Sequence, residues 1–260
     1  MDAKIVHACY VDGDVEGETF IREHVFSYII SGTQSMWVGN NTYHFKSGDF
    51  RFFRKNQLVK YIKKPESEGF RSLSVYLSEE TLRAIQSEYH LQSDGLSTEE
   101  KFRLLPPGEL LKKYVDSLSP YTNDKHGLLD LVVPVKVKEL VLLLTRLFPD
   151  LARILFDYKE PGKIDLEGFM NEHYRYNVDL NKFAYLTGRS LSTFKRDFQT
   201  IFGITPGRWL IQKRLTEANY LIREKHKKPN QIYVDLGFEN LSHFSFAFKK
   251  AFGSAPSLLE

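Results

Sequence analysis

The spacing of apolar positions changes along the chain, and each change marks a different kind of element. From Glu18 to about Leu77 the runs SMWV, TYHF, FRFF, LVKYI and SLSVYL are separated by the turn-forming stretches GNN and KSGD. Alternation with period two sends every second side chain to one face of a strand, so Leu73, Val75 and Leu77 are expected to face one way. Gly39, Asn40 and Asn41 suit a tight hairpin because Gly and Asn tolerate positive φ. The pattern predicts a small antiparallel barrel or sandwich.

Beyond Ser78 the period lengthens to that of a helix. In SEETLRAIQSEY a Ser cap is followed by Glu and then by apolar residues at helical spacing. The stretch LQSDGLSTEEKFRLLPPG reads as a loop and connector. Glu109 to Leu118 reads as a second helical run, and 134 to 156 as one or two helices interrupted near Phe148-Pro149-Asp150. Leu140, Leu143, Leu144, Leu147 and Leu151 recur at roughly helical spacing, which suits burial against the same domain or against a second subunit. Tyr158 to Lys163 is polar and contains Pro161-Gly162, the best domain break. The expected division is 1–157, a linker at 158–164, and 165–260.

The last region is helical and repeats itself. Asp165 caps DLEGFMNEHYRY and Asp179 caps the next helix. LSTFKRDFQTIFGITP at 191–206 then matches LSHFSFAFKKAFGSAP at 241–256 after a step of fifty residues, with Leu, Ser, three Phe, Gly and Pro in register. Phe194, Phe198 and Phe202 fall on one helical stripe and are assigned to the core. Ser192, Thr193, Lys195, Arg196 and Gln199 surround the opposite surface. WLIQKRLTEANYLI at 209–222 predicts a longer helix joining the two units. The fold class is therefore α+β: an N-terminal antiparallel beta barrel or sandwich with trailing helices, and a C-terminal all-alpha double helix-turn-helix domain.

Composition changes this picture little. With 260 residues, 42% hydrophobic and 14% aromatic, the chain has enough apolar surface to fold. Charge is more informative: 15 Lys and Arg stand against 11 Asp and Glu from Glu160 onward, but 21 against 22 before it. The basic bias of the tail permits phosphate contacts without requiring them. Cys9 is the single cysteine, so no intrachain disulfide can form, and the first residues carry no signal-peptide core, so a cytoplasmic location is expected. LVVPVKVKELVLLLTRLF at 131–148 is interrupted by Pro134, Lys136, Lys138, Glu139 and Arg146 and is not expected to span a membrane.

Chemistry is sparse. His24 and His44 fall in the strand region without HxH or HExxH spacing, and no G-x-S-x-G elbow or phosphate-binding Gly loop occurs. No catalytic residue, metal or cofactor is expected, and the chain does not read as an enzyme. Phe52, Phe53, Tyr61, Phe70 and Tyr76 would wall a ligand pocket if one exists, although closed core packing is the preferred reading. Nucleic-acid chemistry has better candidates. A recognition helix must enter a major groove about 12 Å wide with donors matched to base edges. Arg196 can pair with guanine O6 and N7, with a phosphate or an internal carboxylate as the competing partner. Lys195 can meet a base or a phosphate, Ser192 and Thr193 present hydroxyls of the kind common on helix surfaces without any ligand, and His243 can donate to a base or a phosphate or cap local packing. Arg208, Lys249, Lys250 and the Lys225 to Lys228 stretch suit the DNA backbone.

The runs LNKFAYLTGRSLSTFKRDFQTIFGITP, KRLTEANYLI and IYVDLGFENLSHFSFAFKKAFGSAP, covering roughly 165 to 257, resemble the AraC/XylS family of bacterial transcription regulators. The resemblance implies two helix-turn-helix units on a long central helix, with two recognition helices in successive major grooves of double-stranded DNA. By motif position, base reading would fall on Ser192, Lys195 and Arg196, and on Leu241, Ser242 and Phe246. The second set departs from the usual polar character, notably at Phe246, so the first helix is expected to discriminate more. The N-terminal part resembles the family's cupin-like sensor and dimerisation region. This implies a small-molecule or protein effector, a homodimer and a contact with RNA polymerase as partners. The rival reading is a protein-binding adaptor that retains the fold without independent sequence-specific DNA recognition, motivated by Leu241, Phe246 and the Leu140 to Leu151 surface.

Overall fold

A computed structural model describes residues 4–38, 41–93, 100–121 and 129–259, and these fall into two compact units, Met1–Lys159 and Glu160–Glu260. Gly39 and Asn40 of the expected hairpin, and 94–99 of the expected connector, lie outside the described residues.

In the first unit the described strands are Lys4–Tyr10 (β1), Val15–Ile21 (β2), His24–Ser31 (β3), Thr33–Val38 (β4), Asn41–Phe45 (β5), Phe50–Phe53 (β6), Gln57–Lys64 (β7), Phe70–Leu77 (β8) and Phe102–Leu105 (β9). They pair antiparallel into a five-stranded sheet of order β1-β8-β3-β6-β9 and a four-stranded sheet of order β2-β7-β4-β5. Helices Glu79–Glu88 (α1), Glu109–Leu118 (α2), Leu129–Leu147 (α3) and Ala152–Leu155 (α4) follow the strands or lie between them.

Period-two alternation explains where each strand residue goes. Phe26 and Tyr28 of β3, Phe50 and Phe52 of β6, and Leu73, Val75 and Leu77 of β8 share one apolar cluster with Leu82, Ile85, Leu111, Tyr114, Val137, Leu140, Val141 and Leu144 of the helices. Val25, Ile29, Phe53 and Phe70, the alternate positions, pack instead with Met36, Val38, Phe45 and Val59 of the other sheet. β3 is thus covered on both faces, and seven of the eight residues of HVFSYIIS are buried, the polar His24, Ser27 and Ser31 among them. Leu140, Leu144 and Leu151 are buried inside this unit, Leu143 packs against the same cluster, and Leu147 is exposed.

Three elements depart from the sequence reading. β1 lies before Glu18, where the alternating region was expected to begin, and β9 lies in the expected connector. Both are edge strands with partly exposed residues, paired on one side only with β8 and β6, so neither carries a strong alternation of its own. α3 begins before Pro134 and contains it. A proline near the start of a helix forfeits one intrahelical backbone bond, and the long apolar face beyond it compensates.

The second unit is helical: Leu166–His173 (α5), Leu180–Leu186 (α6), Leu191–Phe202 (α7), Pro206–Arg223 (α8), Pro229–Ile232 (α9) and Leu241–Phe252 (α10). Asp165 and Asp179 cap α5 and α6 by accepting from backbone N–H groups of Glu167 and Gly168, and of Asn181.

His24 and His44 stand on β3 and β5, in different sheets. Among the described residues no three His, Cys, Asp or Glu side chains are grouped to hold a metal ion, and no helix is long and apolar enough to cross a membrane. His24 is 2% exposed, stacks on Phe52 at 5.5 Å and accepts through Nδ1 from the Lys55 N–H at 3.2 Å. Burial, followed by the Lys55 and Arg54 charges, pushes its pKa down to about 3. The fold therefore binds neutral imidazole. Its contribution is complete above pH of about 6.5 and is lost as pH falls from there toward 3. Wild type should lose up to about 1.4 kcal/mol of stability per pH unit between pH of about 6 and 5, whereas His24→Gln, less stable at neutral pH, should lack this slope. Urea unfolding across that range measures it; equal slopes would contradict the assignment.

Candidate nucleic-acid interface

α7 is fixed at both ends and along one side. Ser190 accepts from the Thr193 N–H at 3.3 Å, and Gly203, at φ 72°, closes the other end by donating to the Gln199 carbonyl at 3.0 Å. Positive φ is the reason a glycine stands there. Phe194 and Phe198 are fully buried; Phe198 stacks on Phe202 at 4.3 Å, and Trp209 of α8 meets the two rings at 5.6 and 4.7 Å.

α10 repeats the design. Asn240 accepts from the His243 N–H at 2.8 Å, Gly253 stands at φ 81°, and Phe244 and Phe248 are buried with ring centroids 5.7 Å apart. The fifty-residue repeat is therefore a repeat of caps and of an apolar stripe.

With the stripe turned inward, positions 192, 195 and 196 face out together. Ser192, Lys195 and Arg196 are all exposed, and the i, i+3, i+4 spacing puts them on one face. The Arg196 side chain is 75% exposed, with Nη2 3.6 Å from Oδ1 of Asp197. That carboxylate is engaged by Arg189 Nε at 3.1 Å and Lys163 Nζ at 3.4 Å, which hold it below the usual carboxylate range. An ion pair this open to water contributes little, so Arg196 is available to a bidentate acceptor.

On α10 the exposed positions are Leu241, Ser242, His243, Phe246, Lys249, Lys250, Ala251 and Phe252, with Phe246 70% exposed. His243 also lies edge-on to Phe238 at 5.9 Å. Arg208 is exposed in the first turn of α8, and 225–228 are exposed at its end. Among the described residues Lys195, Arg208, Lys249 and Lys250 make no ion pair.

One organising residue was not singled out from the sequence. Arg214, in the middle of α8, is 8% exposed and donates from Nε to the Tyr174 carbonyl at 2.8 Å, from Nη1 to that of Gly237 at 2.7 Å, and from Nη2 to that of Tyr176 at 2.9 Å. A signal existed: Leu210, Arg214, Ala218 and Ile222 recur every fourth residue, so the arginine occupies the buried phase of the helix. Gly237 stands at φ 82°, where a Cβ would meet the Arg175 carbonyl oxygen at 2.5 Å and Arg214 Cζ at 2.8 Å.

The residues read as pocket walls do not all meet. Phe53, Tyr61 and Tyr76 line a cavity of about 440 Å³ in the first unit, and Phe70 is fully buried in the cluster between the sheets. Phe52 belongs to the helix-facing cluster, because neighbours in a strand point to opposite faces.

Comparison with known proteins places both halves of the chain. Residues 183–259 match the family described as "Helix-turn-helix domain", and residues 24–150 match the "ExsA N-terminal regulatory domain". The virulence regulon transcriptional activator VirF of Yersinia enterocolitica is 33% identical over 128 residues, 47% of this chain and 46% of the relative. The match thus spans about half the length of that activator. The HTH-type transcriptional regulator ExsA of Pseudomonas aeruginosa is 25% identical over 245 residues, 91% of this chain and 85% of the relative. A solved structure of a lysine variant of apo ToxT from Vibrio cholerae strain SCE256 covers 99% of this chain and 96% of its own, at 13% identity and a TM-score of 0.47.

Arg214→Met should destabilise the second unit by about 3 kcal/mol or more, since it strands three backbone acceptors, and Gly237→Ala should also destabilise it; Lys195→Ala should stay within about 0.5 kcal/mol of wild type. Urea unfolding followed by Trp209 fluorescence in a Trp37→Phe background reads this unit, and a silent Arg214→Met would refute the assigned role.

Proposed function

The chain belongs to the AraC/XylS family of helix-turn-helix transcription regulators, and on that premise we propose that it is a sequence-specific DNA-binding regulator whose α7 reads bases in a major groove. The observation that carries this reading is the shared outward face of Ser192, Lys195 and Arg196 on a helix whose other face is a buried phenylalanine stripe.

The physical roles follow from side-chain chemistry. Arg196 supplies the fork that matches guanine O6 and N7, Lys195 adds a point charge beside it, and Ser192 donates from the first turn of α7. α10 contributes positioning through Ser242, His243, Lys249 and Lys250, with Arg208 as a further phosphate contact. α8, with 18 residues and so a length of about 27 Å, joins the two units that would address successive major grooves.

Regulation is assigned to the first unit, in keeping with the regulatory domain it matches. Control by a small-molecule or protein effector, a homodimer, a contact with RNA polymerase and a place in the cytoplasm with the DNA belong to the same proposal.

Selection from a random duplex library by the full chain should enrich a defined sequence. Arg196→Ala should lose about 1 to 3 kcal/mol of discrimination at one base position. Lys249→Ala should instead weaken binding evenly across sequences and lower the salt slope by about 1. A folded chain that enriches nothing, or an Arg196→Ala loss equal on all sequences, would count against base reading.

A further inference from the structure

We propose that Phe246 gives α10 a preference for thymine, its ring lying against the C5-methyl group in the major groove at the place in the second unit where Arg196 meets a guanine in the first. The role rests on base reading by α7, and it adds base specificity to a helix otherwise assigned to positioning.

The internal repeat fixes the position. With Leu191 over Leu241 and Phe194 over Phe244, Ser192 falls on Ser242, Lys195 on Ser245 and Arg196 on Phe246. The caps repeat with the sequence, Ser190 and Asn240 each accepting from the N–H three residues on, so the two helices begin at equivalent points. Phe246 therefore stands on α10 where Arg196 stands on α7. A phenylalanine on an amphipathic helix ordinarily joins the buried stripe. This one does not: Phe244 and Phe248 are fully buried, while Phe246, a rotation of about 200° from each of them, is 70% exposed. Among the described residues its ring meets no other ring.

Single exposed apolar side chains are common on protein surfaces, but this one stands on a face of a different kind. Ser242, Phe246 and Lys250 recur every fourth residue and Lys249 flanks them, so the ring sits on a polar, cationic rim. α10 contains no Asp or Glu, and the counterpart of Asp197 of α7 is Ala247. Two lysines without a carboxylate suit a polyanion, and the repeat makes that polyanion the duplex addressed by α7. In the major groove the base edges present donors, acceptors and one apolar group, the thymine methyl. A phenyl ring offers no hydrogen bond, so it would cover the donors and acceptors of a G·C pair without satisfying them, whereas it gains contact with a methyl. Burial of one methyl corresponds to about a fourfold change in affinity, less than a bidentate arginine contributes. The two units would thus read unlike chemistry, a guanine through a fork of donors and a thymine through its methyl.

Deoxyuridine tests this, because it pairs as thymidine does and lacks only the C5 methyl. Each thymine of the duplex selected by the full chain is replaced in turn, and affinity is read by fluorescence anisotropy. Wild type should bind about three- to fivefold more weakly when one particular thymine, about one helical turn from the guanine that depends on Arg196, becomes deoxyuridine. Phe246→Ala should bind the thymine and deoxyuridine duplexes alike, and Phe246→Arg should exchange the thymine preference at that position for guanine. Both variants change an exposed side chain and should keep the wild-type melting temperature, and the wild-type scan needs no variant at all. A scan in which no methyl matters, or a methyl effect that persists in Phe246→Ala, would overturn the proposal; an Arg196→Ala loss confined to its own guanine would then leave base reading by α7 standing. A chain that selects no sequence would remove both together.

Discussion

One buried guanidinium holds the helical unit in the form that its outer surface requires. Arg214 offers three donors from the centre of α8 and satisfies three carbonyls: Tyr174 and Tyr176, just beyond α5, and Gly237, just before α10. Unsatisfied, each buried carbonyl would cost about 1 to 3 kcal/mol, so the site is strongly determined once the arginine is in place. It ties the first half of the unit to the turn that launches the second recognition helix. An apolar side chain could fill the volume but not join the segments. The outward faces of α7 and α10 depend on that joint as much as on their own phenylalanine stripes.

The chain buries a second arginine under opposite terms. Arg214 gives Nε, Nη1 and Nη2 to backbone oxygens, whereas Arg51 leaves Nε without an acceptor. The first arrangement is complete within the protein. The second gives Nη1 to Gln34 and Nη2 to Ser27 and leaves one donor unused, so the two buried guanidiniums differ in how fully the protein satisfies them. A fold-level description of the first unit as sheets with trailing helices does not reveal it; the direction of one side chain in a four-residue strand does.

Much of the architecture could be read from residue order because its determinants are local. Asp165, Asp179, Ser190 and Asn240 cap helices through N–H groups two or three residues away, and Gly203 and Gly253 end them at positive φ. Phe194, Phe198, Phe244 and Phe248 mark a stripe through simple periodicity. What was not legible depends on partners distant in sequence. β1 and β9 are strands because β8 and β6 accept them as edges. Arg214 stands in phase with Leu210, Ala218 and Ile222, but the carbonyls it joins lie 23 to 40 residues away in the chain. Phe52 and Phe53 looked equivalent as pocket walls, although the strand pleat separates them and sends Arg51 inward with Phe53.

The central claim is that the exposed rim of α7 reads base edges, with Arg196 on a guanine. Guanine-N7 methylation protection on a selected duplex tests it most directly, because the N7 of the contacted base sits in the major groove where the guanidinium would lie. With wild type bound to saturation, a particular guanine should be shielded, and with Arg196→Ala at equal occupancy that guanine alone should become reactive. An identical protection pattern for the two proteins would contradict the account.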